Sequence, residues 1–289
     1  MKKQFASVAL IGKYMDASAL QEMQSELARL TQHLLEKGLE VWAETNTANY
    51  AQLPNVKTAD LTSIGDQVDL AIIMGGDGTM LSVSRMLLKS QVPLVGINRG
   101  RLGFLTDLRT EDMLAEIDKI LAGEFQKENR MLLDAELSRE GQVIYESVAF
   151  NDVVIKSALR LIELEVQING QFVSRQRADG LILSSPTGTT AYALSAGGPI
   201  LHPDLSAISL VPISPHTLSN RPITVTSDSV CDVMIVSADD AQISYDGQHQ
   251  QTLKVGDKIR VTRAKQDITL IHPSGYCYFD MLRNKLNWG

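Results

Sequence analysis

Met74-Gly75-Gly76-Asp77-Gly78-Thr79 decides how the first half of this chain reads. It follows an apolar run, Val68-Asp69-Leu70-Ala71-Ile72-Ile73, with the character of a buried parallel strand. It precedes Met80-Leu81-Ser82-Val83-Ser84-Arg85-Met86-Leu87-Leu88, which reads as a helix. A glycine-rich turn between a strand and a helix lets backbone N–H groups approach an anion, and the helix N-terminus adds a favourable partial charge. Gly75, Gly76, Gly78 and Thr79 are therefore candidate phosphate contacts. Asp77 is the unusual member, because a carboxylate repels a bare phosphate. It fits where a metal ion bridges the two, or where a hydroxyl beside the phosphate must lose a proton. On these residues alone a second reading stays open, in which Asp77 caps the helix or closes an Asx turn.

Strands and helices alternate on both sides of this turn, up to about Gly123. Residues 5–12, 39–43, 68–74 and 92–98 read as strands. Residues 18–37 form an amphipathic helix, with Leu20, Met23, Leu27, Leu30 and Leu34 on one face and a stop at Gly38. A further helix runs over residues 111–121 and ends at Gly123. Strands separated by helical crossovers imply a parallel sheet covered on both faces, with ligands at the carboxyl ends of its strands. The glycine turn falls at such an end, and so does Asn98-Arg99-Gly100-Arg101-Leu102-Gly103. Arg99 and Arg101 read either as counter-charges for a phosphate or as ordinary surface charge.

From Met131 onward the apolar period shifts towards two. Leu161-Ile162-Glu163-Leu164-Glu165-Val166-Gln167-Ile168 alternates, and Asn169-Gly170 then supplies a favoured hairpin turn. Arg139-Glu140-Gly141 and Asp246-Gly247 mark further turns. The expected fold is α/β plus all-β, with a Rossmann-like N-terminal domain on a parallel sheet and a β-sandwich-like C-terminal domain. The tail carries Tyr276, Tyr278, Phe279, Leu282, Leu286 and Trp288, too many apolar and aromatic residues to leave in solvent. It is expected to return to the first domain, giving an α/β domain of residues 1–124 with 268–289 and a β-rich domain of residues 125–267.

The β-rich half has polar segments of its own. Ala149-Phe150-Asn151-Asp152-Val153-Val154 sets an amide beside a carboxylate in an apolar strand, so at least one of the two points into a core or a cleft. Arg175-Gln176-Arg177-Ala178-Asp179-Gly180 reads as surface charge or as a pocket rim. The longest such run extends from Ser184 through Pro186-Thr187-Gly188-Thr189-Thr190-Ala191-Tyr192-Ala193-Leu194-Ser195 to Pro199. Small, hydroxyl-rich and glycine-rich, it is unsuited to fill a core. It is suited to bring backbone close to a ligand, with Tyr192 as its single aromatic. A loop without a ligand is the other reading.

Composition removes several classes. A chain of 289 residues holds two domains at ordinary sizes. A formal charge of −7 argues against a nucleic-acid partner, which calls for a basic face. Cys231 and Cys277 lack zinc-ligand spacing and fit reduced residues. Met1-Lys2-Lys3 followed by an apolar run imitates a signal peptide, but the run is short and closes at Lys13 and Asp16, so a first strand is the better reading. No apolar stretch approaches the ~18 residues of a membrane span. A cytoplasmic protein without a membrane partner is expected.

Gly75-Gly76-Asp77-Gly78-Thr79, then Asn151-Asp152, then Asp179-Gly180 with Pro186-Thr187-Gly188-Thr189-Thr190-Ala191-Tyr192 stand in the order and spacing of bacterial NAD kinases. The resemblance covers nearly the whole chain, down to Ile271-His272-Pro273 and the aromatic tail. The first motif is shared with diacylglycerol kinases, sphingosine kinases and phosphofructokinases; the Thr/Gly/Ala/Tyr run is more specific. The family's usual Asn-Glu is here Asn151-Asp152, one methylene shorter. The resemblance implies transfer of the γ-phosphoryl of ATP to the 2′-hydroxyl of the adenosine ribose of NAD, with the active site in the cleft between the domains. It implies Asp77 as proton acceptor with Gly78 beside it, and Asn151 and Asp152 on ribose and adenine. Arg160, Arg177 and Asp179 would line the pocket. Thr190, Ala191, Tyr192, Ala193, Leu194 and Ser195 would form the adenine-side wall, with Gln248 reaching in from a hairpin. Gly75, Gly76, Gly78 and Thr79 would take the phosphates of ATP. A divalent cation, Mg²⁺ above others, is expected with ATP, and the family implies a homo-oligomer, dimer or tetramer. Two alternatives stand beside this reading: a lipid kinase of the diacylglycerol-kinase type, and a non-catalytic NAD(P)-binding sensor. A lipid kinase calls for an apolar entry or a membrane-docking helix, and no basic amphipathic helix serves as one.

Overall fold

A computed structural model describes residues 4–12, 17–100, 103–157, 160–217 and 219–288, without the side chains of residues 17–20. The readings of Met1-Lys2-Lys3, Lys13, Asp16, Arg101 and the Leu20 side chain lie outside these residues. Internal contacts divide the chain into Met1–Asn129 with Ile268–Gly289, and Arg130–Asp267.

The first unit is built on an eight-stranded sheet. Its parallel run is Lys57–Ala59, Glu40–Glu44, Ser7–Gly12, Leu70–Met74, Leu94–Asn98 and Ile268–Pro273. Leu70–Met74 and Leu94–Asn98 are buried at every position, the pattern of central strands covered on both faces. The helix Ala17–Glu36 turns Met23, Leu27, Leu30 and Leu34 into the core, all fully buried. The helix Met113–Leu121 does the same with Met113, Ile117 and Ile120. The tail enters this unit twice. Ile268–Pro273 pairs with Leu94–Asn98 inside the sheet, and the helix Tyr278–Leu286 follows, burying Tyr278, Met281 and Leu282. The sequence shows the aromatic content of the tail but not its strand, because Ile268–Pro273 has no glycine–proline punctuation to separate it from the β-rich region before it.

The second unit consists of two six-stranded sheets, antiparallel in all their pairings. Ile162–Ile168 alternates between buried and half-buried side chains, as period-two patterning requires. Leu137, Leu164, Val233 and Ile259 of one sheet share a core with Val153, Leu183, Ile208 and Ile243 of the other. Tyr145 and Tyr245 meet in that core with ring centroids 5.5 Å apart. At the hairpins Asn169-Gly170 and Asp246-Gly247 both residues have positive φ, 52° and 75° in the first and 51° and 67° in the second. Both turns thus have the twist that joins strands tightly.

Candidate active site

The glycine turn is shorter than its sequence suggests. Met74 ends its strand, Gly76 is the cap in an extended conformation, and Asp77 is already the first residue of the helix Asp77–Leu87. Gly78 and Thr79 belong to the first helical turn, where the Thr79 and Met80 amides donate to Gly76 O at 2.9 and 3.1 Å; a helix N-terminus of this kind favours an anion. A side chain at position 75 would meet Thr79 Oγ1 at 2.6 Å, so the tight turn needs glycine there.

The Asp77 carboxylate makes neither an N-cap nor an Asx turn. Its Oδ2 accepts from the Phe104 amide at 2.7 Å, and its Oδ1 from the Leu105 amide and the Thr106 hydroxyl, both at 3.1 Å. The side-chain amide of buried Asn98 donates to that same hydroxyl at 2.7 Å. Gly103 is required for the approach, since a Cβ there would lie 1.8 Å from Asp77 Oδ1. A carboxylate offers about four acceptor positions, and the described residues take three. The one remaining is what Asp77 can offer a hydroxyl or a cation. Asn98, Gly103 and Thr106 escaped the sequence reading; the only signal was that residues 98–103 lie at a strand's carboxyl end. Arg99 is not available as a phosphate counter-charge in this arrangement. Its guanidinium meets Glu22 at 3.0 Å and Glu26 at 2.6 Å.

In the second unit the Asn151-Asp152 corner is organised by a residue that the sequence offered only as a turn. Asp246 accepts from the amides of Phe150, Asn151 and Asp152 at 3.0, 2.7 and 3.2 Å. This draws the hairpin tip that carries exposed Gln248 onto the corner. The signal was present: an aspartate in the left-handed region can reach back with its side chain as well as turn the chain. Ser185 pins the same corner from the other side, with its hydroxyl donating to Phe150 O at 2.6 Å and its amide to Asn151 O at 2.9 Å. Gly188 packs flat against it, where a Cβ would lie 2.1 Å from Asn151 O.

Asp152 is 4% exposed and its carboxylate has no hydrogen-bond partner among the described residues. Burial, and after it the nearby charge of Asp246, pushes its pKa up to about 7. The folded protein therefore keeps this proton over a range, from about pH 4 to 7, in which the unfolded chain has lost it. The Asp152 contribution to stability falls as pH rises through that window and is constant above it. Asp152→Asn removes the dependence. Its melting temperature is expected to gain on wild type between about pH 5 and 8, by the equivalent of about 3 kcal/mol, roughly two pKa units at ~1.4 kcal/mol each. A gain that does not change with pH would show that the carboxyl is not held neutral.

The hydroxyl-rich run is less of an open wall than expected. Thr187, Gly188 and Thr189 are buried in the turn Thr187–Thr190. The Thr189 and Thr190 hydroxyls donate to Pro186 O and Thr187 O, at 2.6 and 3.2 Å. Thr187 receives the guanidinium of buried Arg130 at 3.2 Å. Ala193 sits fully buried in a small apolar cluster with Val154, Ile182 and Val211, so its side chain presents no surface to a ligand. Leu194 is half-buried, Thr190 and Ala191 are partly open, and Ser195 is exposed. Tyr192 is 39% exposed, with the Lys156 ammonium 5.8 Å from its ring centroid. It lines a pocket of roughly 460 Å³ together with Lys156, Arg160, Asp179, Ile213 and His216. The structure thus brings Arg160, Asp179 and Tyr192 together. Arg160 also meets Asp239 at 2.7 Å in an exposed ion pair. Arg177 is exposed on the strand Gln171–Ala178 and does not line that pocket; what it contributes there is its carbonyl, which accepts from the His216 amide at 2.9 Å.

The first unit is thus a largely parallel sheet with a Gly-Gly-Asp turn between a central strand and a helix N-terminus, and the second is antiparallel throughout, a two-unit α/β plus all-β architecture. Comparison with known proteins makes the assignment specific. The model of the ATP-NAD kinase N-terminal domain matches residues 8–125, and that of the C-terminal domain matches residues 150–273. The chain is 47% identical over 291 residues to the NAD kinase of Thiobacillus denitrificans, covering 100% of this chain and 99% of that protein. It is 45% identical over 286 residues to the NAD kinase of Nitrosomonas eutropha, covering 98% and 95%. Among solved structures, yeast NADH kinase complexed with NADH superposes with a TM-score of 0.86 at 27% identity, covering 98% of this chain and 89% of that one. The NAD kinase of Archaeoglobus fulgidus in complex with ATP shares the fold, with a TM-score of 0.75 at 22% identity over 98% of this chain and all of that one. The chain belongs to the ATP-NAD kinase family.

Proposed function

We propose that this chain transfers the γ-phosphoryl of ATP to the 2′-hydroxyl of the adenosine ribose of NAD, releasing NADP and ADP. The observation that carries the reading is the Asp77 carboxylate, set at a helix N-terminus beside a glycine turn and held by Phe104, Leu105 and Thr106, with one acceptor position left over by the described residues. In this reading Gly75, Gly76, Gly78 and Thr79 take the donor phosphates. Asp77 orients the attacking hydroxyl and receives its proton. Phosphoryl transfer passes through a loose transition state in most analyses, so positioning and charge stabilisation carry most of the catalysis. A preset carboxylate suits that demand. In the antiparallel unit, Asn151, Asp152, Asp179 and Tyr192 hold the dinucleotide, with Asp246 positioning the first two.

A divalent cation belongs to the proposal as a companion of ATP. Among the described residues no group of three His, Cys, Asp or Glu side chains could hold a metal by itself. A single nearby carboxylate fits Mg²⁺, which keeps several waters and is held through one or two carboxylates and the substrate's phosphates. The ion would neutralise phosphate charge there. Homo-oligomers and a cytoplasmic location follow the family resemblance and are proposed with it. Among the described residues no helix is long and apolar enough to cross a membrane.

An acceptor panel tests the substrate class. With ATP and Mg²⁺ supplied, the pure protein is expected to phosphorylate NAD and to leave diacylglycerol in vesicles unmodified. Lipid phosphorylation at a comparable rate would reverse the reading.

A further inference from the structure

The segment that holds Asp77 is itself held, and by a buried charge cluster the reaction does not otherwise use. The Gly103 amide donates to Thr106 O at 3.0 Å, which closes residues 103–106 into a tight loop. The next residue, Asp107, places Oδ2 2.9 Å from His272 Nδ1. The other ring nitrogen of His272 lies 3.0 Å from Glu128 Oε2. Tyr276 stacks on the imidazole at 3.9 Å with an interplanar angle of 11°. The His272 side chain is 1% exposed, against 5% for Asp107 and 13% for Glu128.

A neutral imidazole carries one N–H and can satisfy one carboxylate. Two carboxylates at hydrogen-bond distance, one on each nitrogen, require both protons and hence the cation. The other oxygen of Asp107 is buried without a hydrogen-bond partner among the described residues, so the imidazolium is what compensates that charge. We propose that His272, as an imidazolium clamped between Asp107 and Glu128, is a positioning residue for phosphoryl transfer that fixes the loop holding the Asp77 carboxylate. This rests on Asp77 being the reacting-site carboxylate. Asp107 follows Thr106 directly in the chain, so freedom at Asp107 reaches the hydroxyl and amides that hold Asp77.

The cluster carries a pH dependence with a definite sign. Burial, the largest influence, opposes the charge on His272, but the hydrogen bonds that its ring donates to Asp107 and Glu128, with their negative charges, outweigh it and raise the pKa above the ordinary histidine value. The facing groups are Asp107, Glu128 on the strand Phe125–Arg130, and the Tyr276 ring. The helix Met113–Leu121 directs its charges elsewhere, Asp118 to His33 and Lys37, and Glu116 to Lys119. The adjoining strand Leu94–Asn98 carries no titratable side chain. The clamp is intact at neutral pH and loosens as pH rises and the proton leaves, so turnover should decline on the alkaline side.

The test is the kcat profile from about pH 6 to 10, a range spanning a raised histidine, with saturating ATP, Mg²⁺ and NAD, for wild type, His272→Gln, Glu128→Gln and Asp77→Asn. Glu128→Gln removes one anion holding the proton, and is expected to move the alkaline limb about one pH unit lower. His272→Gln is expected to lower kcat at pH 7 about tenfold and abolish the limb, with KM for NAD and ATP within about threefold. A wild-type profile without an alkaline limb overturns the proposal by itself. So does an unmoved limb in Glu128→Gln, or a folded His272→Gln with wild-type kcat, even where melting temperatures fall. If Asp77→Asn keeps full turnover, the site reading fails and the proposal with it. If Asp77→Asn loses turnover while the other two profiles match wild type, the positioning role alone fails.

Discussion

Asp77→Asn is expected to lower turnover by at least ~10²-fold, the usual scale for losing a positioned base, while NAD affinity stays within a few-fold. Two effects act together. The substitution removes the acceptor that receives the hydroxyl proton. It also puts an NH₂ group where the Phe104 and Leu105 amides and the Thr106 hydroxyl all donate, so at least one donor faces another. The preset geometry is weakened with the chemistry. Because the dinucleotide is assigned to contacts in the antiparallel unit, the loss belongs in kcat rather than in binding. The measurement is steady-state turnover alongside direct NAD binding. Near-normal turnover would leave Asp77 as nothing more than the anchor of residues 104–106.

Tyr192→Ala is expected to weaken NAD binding by roughly ten- to a hundredfold. An aromatic side chain stacked on a base is worth ~1–3 kcal/mol by alanine substitution, and every ~1.4 kcal/mol is tenfold in affinity. Tyr192 is 39% exposed in a run whose other members are small or buried, and it lines the same pocket as Asp179 and Arg160. Its ring is therefore available to a planar partner, and removing it opens no large core cavity. The same contact exists before and after phosphoryl transfer, so apparent affinity should change and saturated turnover should not. Tyr192→Phe should be the milder change, with a melting temperature near wild type in both variants. Normal NAD binding by Tyr192→Ala, or outright unfolding, would make this a packing residue and displace the proposed pocket.

The fold was readable because its signals are local and periodic. The fully buried strand Leu70–Met74, the heptad-like leucines of Ala17–Glu36 and the alternation of Ile162–Ile168 each declare their element in the residues themselves. What stayed hidden depends on contacts between distant residues. Asp246 reads as half of a turn, and nothing in Asp246-Gly247 shows three amides arriving from residues 150–152. Thr106 and Gly103 look like ordinary loop residues until Asp77 is seen against them. The polar run around Thr187 misled in the other direction. Its hydroxyls satisfy nearby carbonyls, and with those bonds made the turn is buried rather than left open. Arg99 looked available for a phosphate because sequence separation hides Glu22 and Glu26.

Product analysis reads directly where the phosphoryl group goes. The full chain is incubated with ATP, Mg²⁺ and NAD, and the products are resolved by ³¹P NMR, with an NADP-specific dehydrogenase as an independent readout. The expected result is a phosphomonoester on the 2′-oxygen of the adenosine ribose, formed mole for mole with ADP and absent without ATP. NAD that binds but returns unmodified would make the chain a dinucleotide sensor. Phosphate found on any other atom would mean that Asp77 does not address the 2′-hydroxyl.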